Sequence, residues 1–129
     1  MNPVEIVTQF LDRWNTDIDG IRAALRDSLG ATGVWDNVGM SVTTGAEEAM
    51  PMIDAFVGLT GFSRMGVDMI NICALENKVF TERIDRFFDA AGKQIMALRV
   101  MGIFEVNPDG TISAWRDYYD SAGMNGGNA

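Results

Sequence analysis

Two charged side chains lie on what should be the buried face of a predicted strand. The segment KVFTERIDRFF, residues 78–88, alternates with a period of two, which puts Arg83 and Asp85 on the same face as Val79 and Phe87. A buried charge is costly unless it is paired. An arginine that bridges two carboxylates, with Asp117 of WRDYYD as the second, would meet that cost. Because two carboxyl groups in different environments can act as acid and base, these residues are candidates for proton-transfer chemistry.

The composition removes most other catalytic chemistry. The chain of 129 residues has no histidine, which excludes histidine-based triads, histidine metal sites and imidazole proton shuttles. Its single cysteine cannot form an intrachain disulfide or a thiolate zinc site. Acid–base work must therefore fall to carboxylates, tyrosine, lysine or arginine.

Length and charge predict one domain over residues 1–129, with a mobile tail at about 122–129. The net charge of −8 supplies no basic stripe, so we expect no nucleic acid partner. No run approaches the roughly 18 apolar residues of a membrane span, and the first residues lack the basic start of a signal peptide. The single cysteine fits a reducing compartment, so we expect a cytoplasmic protein with no membrane partner.

Three helices are predicted in the first half of the chain. Asn2 is the N-cap of the first, and the second is the segment DIDGIRAALRDSL, which Gly30 ends. The third begins with Thr44 and Glu47 in capping-box spacing, and Pro51 should kink or shorten it.

Strands dominate the second half. The segment ATGVWDNVGM, residues 31–40, predicts one brief strand. Four longer strands are then separated by EN, DAAG and NPDG, which are typical hairpin turns, and they span roughly 62–75, 78–88, 93–106 and 111–120. The order of elements predicts an α+β fold, in which a curved, mixed but mostly antiparallel sheet wraps over three helices.

The turns also predict a register. The DAAG turn places Glu82 opposite Arg99, and the NPDG turn places Val100 opposite Asp117. Arg83 then lies diagonally between the two aspartates, about two strand spacings apart and within reach of one guanidinium.

Apolar residues on the same face predict a pocket around these charges. Charges on a strand are usually solvated, and a buried triad can be purely structural, so both alternatives stand beside a catalytic reading. A pocket with convergent carboxylates nevertheless favours a functional site. Its expected wall comprises Phe87, Met96, Leu98, Val100 and Tyr119 from the strands, with Ile53, Val57 and Phe62 from the third helix and its end.

TERID followed by MGIFEVNPDGTISAWRDYYD resembles the limonene-1,2-epoxide hydrolases, small α+β proteins with the nuclear-transport-factor-2-like, polyketide-cyclase-like cone fold. The resemblance extends from the first helix to Asp120, and VWDNVG is similar to the family's aromatic-x-Asn segment. It implies a cone-shaped fold with one deep apolar pocket. It also implies hydrolysis of a small, largely apolar epoxide (limonene-oxide-like, cyclic or terpenoid) to a vicinal diol.

Roles follow from the resemblance residue by residue. Asp117 would be the general base that activates a water, and Asp85 the general acid that protonates the epoxide oxygen. Arg83 would hold both carboxylates, and Asn37 would help to position the water. This one-step reaction needs no covalent ester intermediate, no metal and no other cofactor.

Trp35 is where the chain departs from the family, which has a tyrosine that holds the water. An indole N–H can donate a hydrogen bond but cannot accept one. We expect Trp35 to donate to the catalytic water; the alternative is that it only packs in the core.

The other face of the sheet predicts a homodimer, because it is too apolar to leave in water. It carries Phe80, Ile84, Phe88, Ile95, Met101, Ile103 and Tyr118. Two alternative functions remain: a cone-fold isomerase or cyclase that uses a carboxylate base, or a non-catalytic ligand-binding or dimerisation module.

Overall fold

The computed structural model describes residues 1–120, so the predicted mobile tail lies outside the described residues. Three helices, α1 (Pro3–Asp12), α2 (Ile18–Leu29) and α3 (Ala46–Thr60), lie in the first half as predicted. Asn2 begins α1, because its side chain accepts a hydrogen bond from the backbone N–H of Glu5 at 2.9 Å. Within residues 1–120, none of the helices is long and apolar enough to cross a membrane.

The start of α3 differs from the predicted capping box. The N-cap residue is Gly45, with φ 80°, and the residue before it belongs to a strand. Glu48, rather than Glu47, accepts a hydrogen bond from the backbone N–H of Thr44 at 2.9 Å. The helix runs through Pro51 without a break over 15 residues, so the proline removes a backbone hydrogen bond without ending the helix.

Six strands form one sheet in the order β2-β1-β6-β5-β4-β3. Strands β1 and β6 pair in parallel, and the other neighbouring pairs are antiparallel. The predicted α+β class is confirmed, but β2 was missed because it is short and its last residue, Thr44, fitted the start of a helix. The strands are β1 (Val34–Asn37), β2 (Ser41–Thr44), β3 (Arg64–Leu75), β4 (Lys78–Phe88), β5 (Gln94–Val106) and β6 (Ile112–Tyr118).

The predicted register was wrong by two residues in both hairpins of β5. Glu82 pairs with Met101 rather than Arg99, and Asp117 pairs with Gly102 rather than Val100. The pairing shifts by one residue between Phe87 and Phe88, and again next to the NPDG turn. The turn sequences alone do not predict these irregularities, which contribute to the error in register. Since side chains alternate with a period of two, a shift of two leaves every residue on its predicted face.

The helices pack on the inner face of the sheet around a cluster of aromatic rings. Trp115 is 1% exposed and lies at the centre of this cluster. Its ring is stacked on Trp35, with centroids 4.4 Å apart, and meets the edges of Phe10 and Trp14 at 5.2 and 5.3 Å. Such rings bury much apolar area in fixed orientations, so they form a rigid wall beside the charged residues.

Candidate active site

Arg83 lies at the centre of a buried ion-pair cluster. Its Nε donates to Oδ1 of Asp85 at 2.9 Å, and its Nη2 donates to Oδ2 of Asp117 at 2.6 Å. A further bond from Nη2 to Oδ2 of Asp85, at 3.2 Å, makes that contact bidentate. The side chain of Arg83 is 1% exposed, and those of Asp85 and Asp117 are 12% and 6% exposed. The structure therefore brings together the three charged residues that the sequence grouped.

Gly102 lets the arginine reach across the sheet. Arg83 and Asp85 come from β4 and Asp117 comes from β6, so β5 runs between them. The residue of β5 that pairs with both Asp117 and Thr81 is Gly102. A Cβ at this position would lie 2.3 Å from Nη1 of Arg83 and 2.6 Å from Oδ1 of Asp117. The guanidinium occupies space that any other residue would fill.

Two polar side chains complete the hydrogen bonding of the cluster, and the sequence did not assign either of them. The indole Nε1 of Trp115 donates to Oδ1 of Asp117 at 2.7 Å. The hydroxyl of Thr81 accepts from Nη1 of Arg83 at 3.1 Å and donates to the carbonyl of Gly102 at 3.1 Å. Trp115 lies two residues before Asp117 on β6, and Thr81 lies two residues before Arg83 on β4. Residues two apart on a strand share a face, so this spacing could have identified both from the sequence.

Burial and charge act in opposite directions on these groups. Burial raises the pKa of Asp117 above its ordinary value, and the nearby charge of Asp85 adds to this effect. The charge of Arg83 and the hydrogen bonds from Arg83 and Trp115 oppose the rise without cancelling it. Burial alone would lower the pKa of Arg83, but the two carboxylates raise it above its ordinary value. Asp117 is thus a better proton acceptor than an ordinary aspartate, beside a cation that keeps its proton.

Strand β1 places Asn37 and Trp35 beside β6, because its parallel register pairs Asn37 with Asp117 and Trp35 with Trp115. Asn37 is 8% exposed, and its Oδ1 lies 3.4 Å from the hydroxyl of Tyr119. Among residues 1–120, the Nε1 of Trp35 has no hydrogen-bond partner although it is buried. The ring of Trp35 lines the cavity described next, but its N–H is buried and is not exposed to that cavity.

A cavity of about 280 Å³ opens beside the ion pairs. Asp85, Asp117, Asn37 and Trp35 line it. Of the eight residues predicted for its wall, six line it: Ile53, Phe62, Phe87, Leu98, Val100 and Tyr119. The sequence did not single out several others, namely Trp14, Met40, Ser41, Met52, Phe56 and Leu59.

Met96 and Val57 do not line the cavity, so these two predicted positions were wrong. Met96 is 3% exposed and belongs to the core, where it pairs across the sheet with Phe87. Val57 packs against the core from α3. The cavity side of that helix is formed instead by residues such as Met52, Phe56 and Leu59, whose spacing of four and three follows one helical face.

This arrangement suits proton transfer to and from a small ligand. Two carboxyl groups that share one arginine lie close enough to act on the same ligand. Most of the cavity wall is apolar, which favours a ligand with little charge. Among residues 1–120, no group of three His, Cys, Asp or Glu side chains is placed to hold a metal ion.

Comparison with known proteins shows similarity to epoxide hydrolases. The chain is similar to the epoxide hydrolase EphG of Mycobacterium tuberculosis (strain ATCC 25618 / H37Rv), with 37% identity over 106 residues. That match covers 82% of this chain and 64% of EphG, so the chain spans just under two thirds of that relative. A solved structure of an M. tuberculosis LEH-like epoxide hydrolase has a TM-score of 0.72 at 28% identity, with 97% of this chain and 83% of that chain covered.

More distant structures share the fold alone. A solved NTF2-like protein of unknown function from Cytophaga hutchinsonii ATCC 33406 has a TM-score of 0.70 at 14% identity, with 97% of this chain and 96% of that chain covered. The cone fold implied by the sequence resemblance is therefore confirmed. The family model for the limonene-1,2-epoxide hydrolase catalytic domain matches residues 1–127. This protein belongs to the limonene-1,2-epoxide hydrolase family.

Proposed function

We propose that this protein is an epoxide hydrolase that adds water to a small, largely apolar epoxide, of the cyclic or terpenoid limonene-oxide type, and releases a vicinal diol. The observation that carries the proposal is the bridge from Arg83 to both Asp85 and Asp117, set in the wall of a mostly apolar cavity. Epoxide opening needs a nucleophile at carbon and a proton for the departing oxygen, and two carboxyl groups can supply both.

The proton transfers balance without any further group. Ionised Asp117 takes a proton from water while the water oxygen bonds to an epoxide carbon. The carbon–oxygen bond of the epoxide breaks, its electron pair stays on oxygen, and protonated Asp85 donates a proton to that oxygen. Asp117 then carries a proton from the water, and Asp85 has lost its own. Transfer of one proton from Asp117 to Asp85 restores the starting state.

The surroundings of each carboxyl group support these roles. Arg83 and Trp115 donate to different oxygens of Asp117, at 2.6 and 2.7 Å, and fix the orientation of the base. Asn37 pairs with Asp117 across β1 and β6, which supports a role for its amide in holding the attacking water. Trp35 lines the same cavity, with a buried indole N–H that has no partner among residues 1–120.

Turnover of a racemic cyclic epoxide, assayed for diol, tests the proposal. Substantial diol formation by the purified protein is expected, and its absence across a panel of cyclic and terpenoid epoxides would favour a non-catalytic binding module. An isomerase would instead give a product without added water.

In a single turnover in ¹⁸O-water with excess enzyme, the label should enter the diol at once. Unlabelled first-turnover diol would identify a carboxylate as the nucleophile.

We also propose a homodimer through the outer face of the sheet. Met101 and Tyr118 pair across β5 and β6 on this face and are 52% and 43% exposed. A two-fold contact between copies would cover them together with the half-buried residues around them. Light scattering at micromolar concentration should give twice the chain mass of 14.1 kDa. Met101→Glu should give the single-chain mass, whereas Leu75→Glu, at an exposed position near the β3–β4 turn, should not.

A further inference from the structure

Hydroxyl groups at one end of the cavity have only weak or distant partners. Ser41 donates to the thioether sulfur of Met52, with Oγ and Sδ 3.0 Å apart. The Tyr119 hydroxyl has one hydrogen and two possible acceptors, Sδ of Met40 at 3.3 Å and Oδ1 of Asn37 at 3.4 Å. A thioether is a weak acceptor, and O–H···O bonds are normally about 2.7–2.8 Å long. Both hydroxyls would therefore gain from a nearby oxygen that accepts more strongly.

These two hydroxyls flank Asn37 and line the same cavity as the catalytic carboxyl groups. Ser41 pairs with Asn37 across β1 and β2, and Asn37 pairs with Asp117 across β1 and β6. Ser41 therefore lies two strand spacings, roughly 10 Å between backbones, from Asp117. Tyr119 follows two residues after Asp117, roughly 7 Å along the chain. Met40, which precedes Ser41 in the chain and also lines the cavity, is 52% exposed, so this end of the cavity is open to solvent.

Among the described residues, the wall formed by α3, its end and Phe87 offers no hydroxyl group. Ile53, Phe56, Phe62 and Phe87 form an apolar surface, and the three phenylalanines contact one another edge to face or tilted at 5.2–5.5 Å between centroids. An oxygen on a ligand would lose its hydrogen bonds with water against that apolar wall, whereas the hydroxyls of Ser41 and Tyr119 could donate to it. Burial, with the charges of Asp117 and Asp85, raises the pKa of Tyr119 to about 12, so its hydroxyl stays a donor at neutral pH.

We infer that Ser41 and Tyr119 form a second polar subsite, which binds a hydroxyl or carbonyl oxygen of the substrate several carbon atoms away from the epoxide. The inference rests on the proposed hydrolase function, and it narrows the substrate class from a hydrocarbon epoxide to an oxygenated one. It also gives the subsite a role in selectivity. An oxygen held at the open end fixes the orientation of the ring, and that orientation decides which epoxide carbon faces the water on Asp117.

Two epoxides that differ by a single hydroxyl group test the subsite. The probes are the 1,2-epoxides of p-menth-1-ene and of α-terpineol, which share a carbon skeleton and differ in a tertiary hydroxyl across the ring. The wild-type protein should show a kcat/KM roughly threefold to tenfold higher for the hydroxylated epoxide, the effect of one partly solvated hydrogen bond. Ser41→Ala and Tyr119→Phe should each bring that ratio towards one.

Matched controls separate the subsite from general effects of the substitutions. Ser113 is exposed on β6, and Tyr118 is the neighbour of Tyr119 on the opposite face of the sheet. Ser113→Ala and Tyr118→Phe should therefore keep the wild-type ratio. A wild-type ratio of one or less, or a ratio that survives both Ser41→Ala and Tyr119→Phe, would overturn the subsite while leaving hydrolase activity intact.

A binding measurement keeps the subsite testable if neither epoxide is turned over. The unreactive olefins, α-terpineol and p-menth-1-ene, can be titrated while tryptophan fluorescence is followed, because Trp14, Trp35 and Trp115 line the cavity. Tighter binding of the alcohol that is lost in Ser41→Ala supports the subsite, even where failed turnover refutes the hydrolase. Equal binding of the two olefins by the wild-type protein would refute the subsite.

Discussion

Arg83 and Arg86 lie three residues apart on β4 and make similar contacts on opposite faces of the sheet. Arg83 donates to Asp85 and Asp117 at 2.9 and 2.6 Å, and Arg86 donates to Asp68 at 2.7 Å. The two arginines differ in how far they are exposed to solvent. The Arg83 side chain is 1% exposed, whereas Arg86 is 33% and its partner 58% exposed. Distances alone do not distinguish a reactive charge cluster from a surface ion pair; burial and the neighbouring cavity do.

Solvent exposure also determines how much each cluster contributes to the stability of the fold. An exposed pair such as Arg86–Asp68 contributes roughly 0–1 kcal/mol, because water and salt screen it. Removing one partner of a buried pair leaves an uncompensated charge, which is far more costly. Substitutions in the two clusters should therefore differ sharply in both activity and stability.

The largest expected effect comes from removing a carboxyl group on the inner face. Asp85→Asn and Asp117→Asn should each lower kcat for diol formation by roughly 10²–10⁴, to the background of the assay, since an amide keeps the shape but cannot transfer the proton. Asp68→Asn is the matched change on the outer face and should leave kcat unchanged. Circular dichroism should show that all three variants are folded. Substantial turnover by Asp85→Asn or Asp117→Asn would remove that residue from the mechanism.

A methyl group added at Gly102, on the strand between β4 and β6, should have the next largest effect. Gly102→Ala places Cβ within 2.6 Å of atoms of Arg83 and Asp117, which are held by hydrogen bonds and buried. We expect a loss of stability of roughly 1–3 kcal/mol in denaturant unfolding and a fall in kcat of about a hundredfold, because the carboxylates are displaced.

Gly58 in α3 supplies the control for Gly102. An added Cβ there meets no atom within 4 Å. Gly58→Ala should therefore keep activity and raise stability slightly, as expected for alanine in a helix. Wild-type kcat in Gly102→Ala would mean that the triad tolerates a side chain in its midst.

The sequence predicted the members of the site better than their contacts. Alternation along β4 and β6 was enough to place Arg83, Asp85 and Asp117 on one face, and a register error of two could not change that. It was not enough to find the Trp115 hydrogen bond, because that requires the observed distance of 2.7 Å to Asp117. The importance of Gly102 likewise depends on what surrounds it, and a glycine in a strand has several explanations.

Elements with weak local signals were the ones that the sequence missed. The four residues of β2 follow a turn at Gly39 and precede α3, so Thr44 fitted a helix start as well as a strand end. With β2 unrecognised, Ser41 could not be placed beside Asn37. Ser41 and the adjacent Met40 were therefore absent from the predicted wall, whereas the long strands supplied most of the residues that were placed correctly.

Trp35 should show a smaller effect that separates hydrogen bonding from packing. Trp35→Phe keeps an aromatic ring against Trp115 but removes the free indole donor, so we expect kcat to fall about ten- to a hundredfold, as for an unmade polar contact of roughly 1–3 kcal/mol. Trp35→Tyr restores a hydroxyl donor and should retain more activity than Trp35→Phe. Equal rates for the two variants, with differences confined to thermal stability, would leave Trp35 as a packing residue.

The smallest expected effect is in stability against pH, and it should have opposite signs for a buried and an exposed aspartate. Burial raises the pKa of Asp117, so its contribution to stability is greatest below the ordinary carboxyl range and is lost as pH rises through the raised pKa. Exposed Asp109 accepts hydrogen bonds from Thr111, which lower its pKa. Its contribution is present above the ordinary range and is lost as pH falls through the lowered pKa.

Urea unfolding from about pH 3 upward can test both signs against the matched asparagine variants. The difference in unfolding free energy between wild type and Asp117→Asn should decrease as pH rises above the ordinary carboxyl value of 3.8. The difference between wild type and Asp109→Asn should increase over the acidic part of the range, because protonating wild-type Asp109 weakens its bonds to Thr111. Slopes of the same sign for both pairs would contradict the view that burial, rather than hydrogen bonding, dominates the titration of Asp117. In that case the buried carboxylate would behave like the exposed one in the turn, and the contrast between buried and exposed charges would not extend to proton affinity.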